Sequence, residues 1–402
     1  MNPSEWNISP QSTPPDEKHQ EAISADKTKM LSREEIDRLN ERSRAVNNHY
    51  RHFQSFLIDV EEIEILRKFK IGEQLGRGRQ GVVFEGHGIN ALDCHTVHAL
   101  KVFDPTLFHT SEDYEQEMRR IARQVSMLQH LYHPNLVKCE LFFMYQNLGV
   151  LLMELIEGID IRRFIDYERH TLLYRRIPLE EWKHFNSALF DPEIRALQPN
   201  IVFYIIRKML RGLEILHCTG YIHCDIKPSN IMIDRFGTVK IIDFGRATLI
   251  SKPGMHFLAS PMYMAPELHE RRDITPLADI YSTGMVLLEM LYGKPLITTS
   301  ATEYDIYEFK LQLPDIFPKF LPKRYRRNKL LHKIIRRFIA VDLNERFPSA
   351  HDAEAGTEGL IQMQTHYSRT EKNVDAGLEL EIYLSRCLPF AHALQRPLPS
   401  QN

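Results

Sequence analysis

The sequence predicts an α+β fold in two parts, a small β-rich lobe followed by a larger α-helical one. Three features predict it. From 70 to 103 apolar and polar residues alternate around glycines, in "FKIGEQLGRGRQGVVFEGHG" and "TVHALKVF", which is the period and punctuation of antiparallel strands. A helical segment over 112–131 and strands over about 136–155 complete this part. From about 200 onward the apolar residues recur at helical intervals, as in "NIVFYIIRKMLRGLEILHCTG" and "DIYSTGMVLLEMLYG".

The flanks read differently. Residues 1–30 are polar and rich in Ser, Pro and charge, a composition expected to be disordered. Residues 31–69 read as an amphipathic helical extension. Ser32 and Glu35 have capping-box spacing, Leu31 and Ile36 can form a staple, and Ile36, Leu39, Val46, Tyr50, Phe53 and Leu57 follow at near-helical intervals. Two roles are open to this helix: packing on the body of the protein, or binding a protein partner. Residues 367–402 form a C-terminal tail with a candidate helix.

Composition narrows the function. A net charge of −2 over 402 residues gives no sign of a nucleic-acid-binding surface. The five cysteines, at 94, 139, 218, 224 and 387, have no metal or redox spacing, and reduced thiols in the cytoplasm are expected. The opening "MNPSEWNISPQSTPPDEKHQ" lacks the basic and apolar regions of a signal peptide, and no apolar stretch reaches membrane-span length.

Chemistry is concentrated in a few short stretches. In "LGRGRQGVV", Gly76, Gly78 and Gly81 are followed by strand-like residues, so the backbone can lie over phosphates and turn N–H groups toward them. A dinucleotide site would need a helix there instead. Lys101, in "HALKVF", shares a strand with apolar neighbours, and an inward ammonium needs an anion. "YIHCDIKPSN" crowds His223, Asp225, Lys227 and Asn230 together. "VKIIDFGRA" places Asp243 at the end of an apolar strand, where it and Asn230 offer oxygens suited to Mg²⁺. "MYMAPE", "ADIYSTG" and "DLNERFPSA" follow in order.

Over residues 70–366 this ordered set resembles the eukaryotic-type Ser/Thr protein kinase family. The resemblance implies a bilobal kinase-like fold with an N-lobe over about 70–155 and a C-lobe over about 156–366. It implies ATP as co-substrate, Mg²⁺ as cofactor and a protein acceptor hydroxyl. Lys101 would grip the α- and β-phosphates beneath a roof of Leu75, Gly76, Arg77, Gly78, Arg79, Gln80, Gly81, Val82 and Val83. Asp225 would orient the acceptor hydroxyl, Lys227 would neutralise the transferring group, and Asn230 and Asp243 would hold the metal. Val83, Ala99 and Met232 would enclose the adenine, with Met153 behind it. Glu154 and Ile156 would bond its edge, and Asp160 would meet the ribose. Ser260 falls near the substrate, Asp279 braces the catalytic loop, and Glu267 with Arg346 matches a buried ion pair.

Two positions depart from the family pattern. Cys224 stands where many members have an arginine that meets a phosphorylated activation segment. Activity independent of such phosphorylation is expected, with Thr248 and Ser251 as the candidate sites. Gln124 stands where the helix of the small lobe usually carries a glutamate, and Glu117 lies seven residues earlier, about 10.5 Å along a helix. An active kinase and a pseudokinase scaffold are both compatible with that change. The stretch over about 167–199 is an insertion, with Asp191-Pro192-Glu193 read as a helix start, and its aromatic and basic residues suit either a protein partner or packing.

Overall fold

The alternating stretch becomes long antiparallel strands, as its period requires. A computed structural model describes residues 48–58, 60, 62–64, 68–89, 94–250, 260–298, 300–370 and 375–390. The chain divides into two units, one formed by residues up to 127 with 139–155, the other by 128–138 with the residues from 156 onward. The Ser32–Glu35 capping box, the Leu31–Ile36 staple and Ser251 lie outside the described residues.

The first unit begins with helix α1 across 48–58. Strands β1 (Glu62–Glu64), β2 (Lys68–Gly78), β3 (Gly81–Ile89) and β4 (His95–Phe103) precede helix α2 (Ser111–Leu128). Strands β5 (Cys139–Tyr145) and β6 (Leu148–Glu154) complete a six-stranded sheet of order β1-β2-β3-β4-β6-β5. Its pairings are all antiparallel. Residues at even positions, Val82, Phe84, Leu100, Val102, Val150 and Leu152, share a core with Phe53 and Phe56 of α1. The two phenylalanines are 0% and 2% exposed, and each stabilises the unit by roughly 1.5–3 kcal/mol. In the described part of the extension, then, the packing role is the one observed. Helix α2 is tied to the sheet by Tyr114, whose hydroxyl donates to the Phe103 carbonyl and accepts from the Gly149 N–H. Burial pushes that phenol up to about 12.

The second unit opens with β7 (Gly158–Asp160), α3 (Ile161–Phe164), α4 (Tyr167–Thr171), α5 (Leu179–Ala188), β8 (Phe190–Asp191), β9 (Ala196–Leu197) and α6 (Pro199–Cys218). Then come β10 (Tyr221–Ile222), β11 (Ile231–Asp234), β12 (Val239–Ile241), β13 (Thr248–Leu249), α7 (Pro266–His269) and α8 (Leu277–Tyr292). Helices α9 (Glu303–Ile316), α10 (Lys329–Phe338), α11 (Ala350–Ala355), α12 (Leu360–Thr370) and α13 (Ala376–Cys387) finish it. Helix α8 is buried without a break from Ala278 to Leu291 and forms the spine of this unit. The Glu267–Arg346 ion pair is two-pronged, at 2.8 and 3.1 Å, with both side chains excluded from solvent.

Two expectations are corrected here. The extension read over 31–69 is not helical to its end, since Glu62–Glu64 is strand β1 and β2 begins at Lys68. Asp191 does not start a helix; it ends strand β8 and closes a hairpin onto β9. Its carboxylate accepts from the Glu193 N–H at 3.0 Å, its carbonyl accepts from Arg195, and Arg195 takes a left-handed φ of 54°. An Asp-Pro pair suits this Asx turn as well as it suits a helix cap, and α6 begins only at Pro199.

The insertion is packed against the C-terminal helix. His170 stacks on Phe190 with ring centroids 4.2 Å apart, and the Tyr383 ring of α13 lies 5.3 Å from Phe185 and 5.8 Å from Phe164. Two further bridges, His184–Glu379 at 2.8 Å and Arg386–Glu181 at 3.1 Å, clasp α5 to α13. Tyr174, Arg175 and Arg176 remain exposed on the insertion.

Candidate active site

The residues singled out from the sequence fall into two groups, one in each unit. In the first, β2 and β3 meet at the hairpin Gly78–Gly81. Gly81 is required by packing, since a Cβ there would lie 2.0 Å from the Val102 carbonyl oxygen. Gly76 and Gly78 are different: a Cβ on either would meet nothing within 4 Å. Neither position has a φ that favours glycine, so what glycine leaves there is bare backbone open to close approach. Leu75 and Gln80 are half-buried, Arg77 and Arg79 exposed, and Val82 buried in the core.

Lys101 is 6% exposed, and its ammonium donates to Gln80 Oε1 at 2.9 Å. Val83 and Leu151 are its cross-strand partners, while Ala99 pairs with Met153 and His98 with Glu154. On α2, Ser111, Tyr114, Met118, Ile121 and Val125 form the buried stripe, and Gln124, 5% exposed, belongs to it. Arg120 donates to Gln124 at 3.3 Å and grips Glu117 with two bonds of 2.7 Å. Glu117 is half-exposed. Gln124, and not Glu117, therefore occupies the inward face.

In the second unit the loop after β10 gathers the polar residues. Asp279, near the start of α8, accepts from the backbone N–H groups of His223 and Cys224 at 2.8 and 2.9 Å and bonds His217 at 2.9 Å. Burial alone would raise its carboxyl, but these bonds hold it below the usual carboxylate range. Cys224 takes a left-handed φ of 63°, and its side chain packs with Ile222, Ile274 and Leu268. The cysteine is thus part of an apolar floor beneath the loop. His223 donates from Nε2 to the Ile242 carbonyl at 3.1 Å and accepts the Asp225 N–H on Nδ1 at 3.2 Å.

Asp225 is the hub. Lys227 Nζ donates to its Oδ2 at 2.7 Å, Ser260 Oγ to its Oδ1 at 3.0 Å, and Asn230 Nδ2 to its Oδ2 at 3.0 Å. Lys227 also donates to Ser260 Oγ at 3.1 Å. Sequence reasoning passed over Arg246, whose Nη1 lies 3.6 Å from Asp225 Oδ1. Its signal was its place directly after Asp243-Phe244-Gly245. Asn230 spends its amide hydrogens on Asp225, which leaves the amide oxygen as the acceptor end. The Ile242 N–H donates to the Asn230 carbonyl, joining this loop to the strand that delivers Asp243. Asp243 has a left-handed φ of 63° and accepts from the Gly245 N–H at 3.3 Å. An amide oxygen and a carboxylate are hard donors of the kind Mg²⁺ takes alongside phosphate oxygens. Met232 and Asp160 are cross-strand partners in β11 and β7. The Asp160 carboxylate caps α3 at the Arg163 N–H and pairs with the Arg163 guanidinium, both within 3.0 Å. Burial raises that carboxyl despite the arginine. Ile156 is half-buried.

The matches with known proteins agree with this arrangement. A family model described as a protein kinase domain matches residues 69–355. The chain is similar to the cell division control protein 7 of Schizosaccharomyces pombe, with 30% identity over 226 residues, covering 56% of this chain and 18% of that protein. It is 29% identical over 239 residues to the cytokinesis protein sepH of Aspergillus niger, covering 59% and 15%. Against the probable serine/threonine-protein kinase PknB of Lactococcus lactis it is 26% identical over 254 residues, covering 62% and 35%. The chain thus spans little more than a third, at most, of the length of these relatives. Among the described residues no helix is long and apolar enough to cross a membrane. The motif order, the polar hub on Asp225 and a domain match over most of the chain lead to one statement: this chain belongs to the protein kinase family.

Proposed function

We propose that this protein is an ATP- and Mg²⁺-dependent serine/threonine protein kinase that works without phosphorylation of its activation segment. One observation carries the reading: Asp225 accepts hydrogen bonds from Lys227 and Ser260, which also bond each other. A carboxylate so held can orient an acceptor hydroxyl and take its proton, while the lysine ammonium steadies charge on the group in transfer. Lys101 is an inward ammonium suited to phosphate oxygens, and bare backbone at Gly76 and Gly78 suits a phosphate lying close by. Bound Mg²⁺ would neutralise phosphate charge, and Asn230 and Asp243 are the residues that would hold it. Cys224 lies in an apolar floor, so no arginine at that position awaits a phosphate. None of the five cysteines is in a disulfide, which suits a reducing, cytoplasmic setting.

Gln124 is the observation that favours the second reading, a pseudokinase scaffold, because a neutral amide replaces a carboxylate on the inward face of α2. Incubation with labelled ATP, Mg²⁺ and a generic Ser/Thr substrate separates the two. Transfer should be measurable before and after phosphatase treatment, and Asp225→Asn should reduce it about 10²–10⁴-fold. Absence of transfer by the native chain would establish the scaffold reading, and a tenfold loss on phosphatase treatment would remove the claim of independence.

A further inference from the structure

Lys310 lies on the buried side of α9, in line with Ile306, Leu313 and Phe317, and is 0% exposed. Among the described residues its ammonium has three partners: the carbonyls of Pro261 and Met264, to which it donates, and His269 Nε2 at 3.0 Å. Nδ1 of His269 in turn meets Glu303 at 3.4 Å. These contacts fit one protonation pattern, with a neutral imidazole accepting from Lys310 and donating to Glu303. Burial and the lysine charge together hold His269 down to about 4, and burial draws Lys310 well below the ordinary lysine range.

Among the described residues no carboxylate is bonded to the Lys310 amine, and burying such a group is costly at a position where an apolar side chain would fill the same space. Two of its three contacts lie on one short segment. Residues 260–264 begin with the serine that bonds Asp225, and other elements hold them as well. The Tyr263 hydroxyl donates to Glu289 at 2.9 Å, and Ser282 Oγ donates to the Tyr263 carbonyl at 2.8 Å. Arg162 reaches both Tyr263 and Glu289. The segment is therefore fixed by side chains from α3, α8 and α9, with the Lys310 ammonium as the anchor for two of its carbonyls.

We propose that Lys310 is a positioning residue for acceptor recognition. By fixing the carbonyls of Pro261 and Met264 it sets the backbone just beyond Ser260, so the surface that receives the acceptor peptide is made by the fold and needs no phosphate on the activation segment. This rests on the protein kinase reading above. It differs from a general stabilising role, because it demands a selective effect on the acceptor.

The test uses the full chain, phosphatase-treated, with Lys310→Met and Lys310→Gln. Lys310→Met should raise KM for an acceptor peptide about tenfold, the size of one lost charged hydrogen bond, while KM for ATP stays within about twofold. Lys310→Gln keeps a donor and should fall between the two. Amide hydrogen exchange over 260–264 should quicken in Lys310→Met and stay as in the native chain elsewhere. Unchanged peptide KM and unchanged exchange would overturn the proposal, as would equal losses for peptide and ATP. If Lys310→Met does not fold, Lys310→Gln decides by the same two measurements. If the native chain transfers no phosphate, the kinase reading falls, and exchange over 260–264 alone decides whether Lys310 anchors the segment.

Discussion

The amide oxygen of Gln80, at the tip of the glycine-rich hairpin, accepts a hydrogen bond from Lys101 at 2.9 Å. The hairpin thus reaches down onto the ammonium proposed to grip ATP. A phosphate that takes this particular N–H displaces the amide, and a net hydrogen bond is worth about 1 kcal/mol. Gln80→Ala should therefore tighten ATP binding by about fivefold, as read by titration with a nucleotide analogue. Weaker binding in the variant would mean that Gln80 assists the nucleotide instead.

The two polar candidates on α2 should respond oppositely. Gln124 is buried on the inward face, whereas Glu117 is half-exposed and held by Arg120. Gln124→Glu adds a charge on the inward face and should raise kcat/KM for ATP several-fold, the result of about 1 kcal/mol. Glu117→Gln breaks a surface pair of small worth and should leave kcat/KM within about twofold. Steady-state kinetics on the two variants check this, and severe damage from Glu117→Gln would reverse the assignment.

Acid should weaken the second unit through His170. Burial holds this imidazole down to about 4, against an ordinary 6.5. Between those values the unfolded chain binds the proton and the folded chain does not, so stability falls as pH drops from about 6.5 toward about 4. Above 6.5 the contribution is fully present. A shift of this size corresponds to about 3 kcal/mol. Urea unfolding at pH 7 and pH 4.5 should show His170→Phe losing about 2–3 kcal/mol less than the native chain. Equal losses would place the acid sensitivity elsewhere, with His269, also held near 4, as the next group to replace.

The sequence by itself determined the family, the strands over 70–103 and 136–155, the helices of the larger lobe and the identity of the polar hub. It could do so because each of these is written locally: alternation makes strands, and "HCDIKPSN" brings Asp225, Lys227 and Asn230 within one short loop. The buried Glu267–Arg346 pair followed from the same ordered motifs. Tertiary structure decided what depends on partners distant in the chain. Asp191-Pro192-Glu193 satisfies a helix cap and an Asx turn equally, and pairing with Ala196 and Leu197 selected the turn. The described part of the N-terminal extension packs because the even-numbered face of the sheet offers Phe53 and Phe56 an apolar surface. His170 meets a tyrosine 213 residues further on, and Lys310 meets the Pro261 carbonyl 49 residues back. Lys310 lies in line with the buried Ile306 and Leu313 of α9. Yet a charged residue in an apolar stripe is explained only by the acceptors that surround it, and those acceptors come together only when the chain folds.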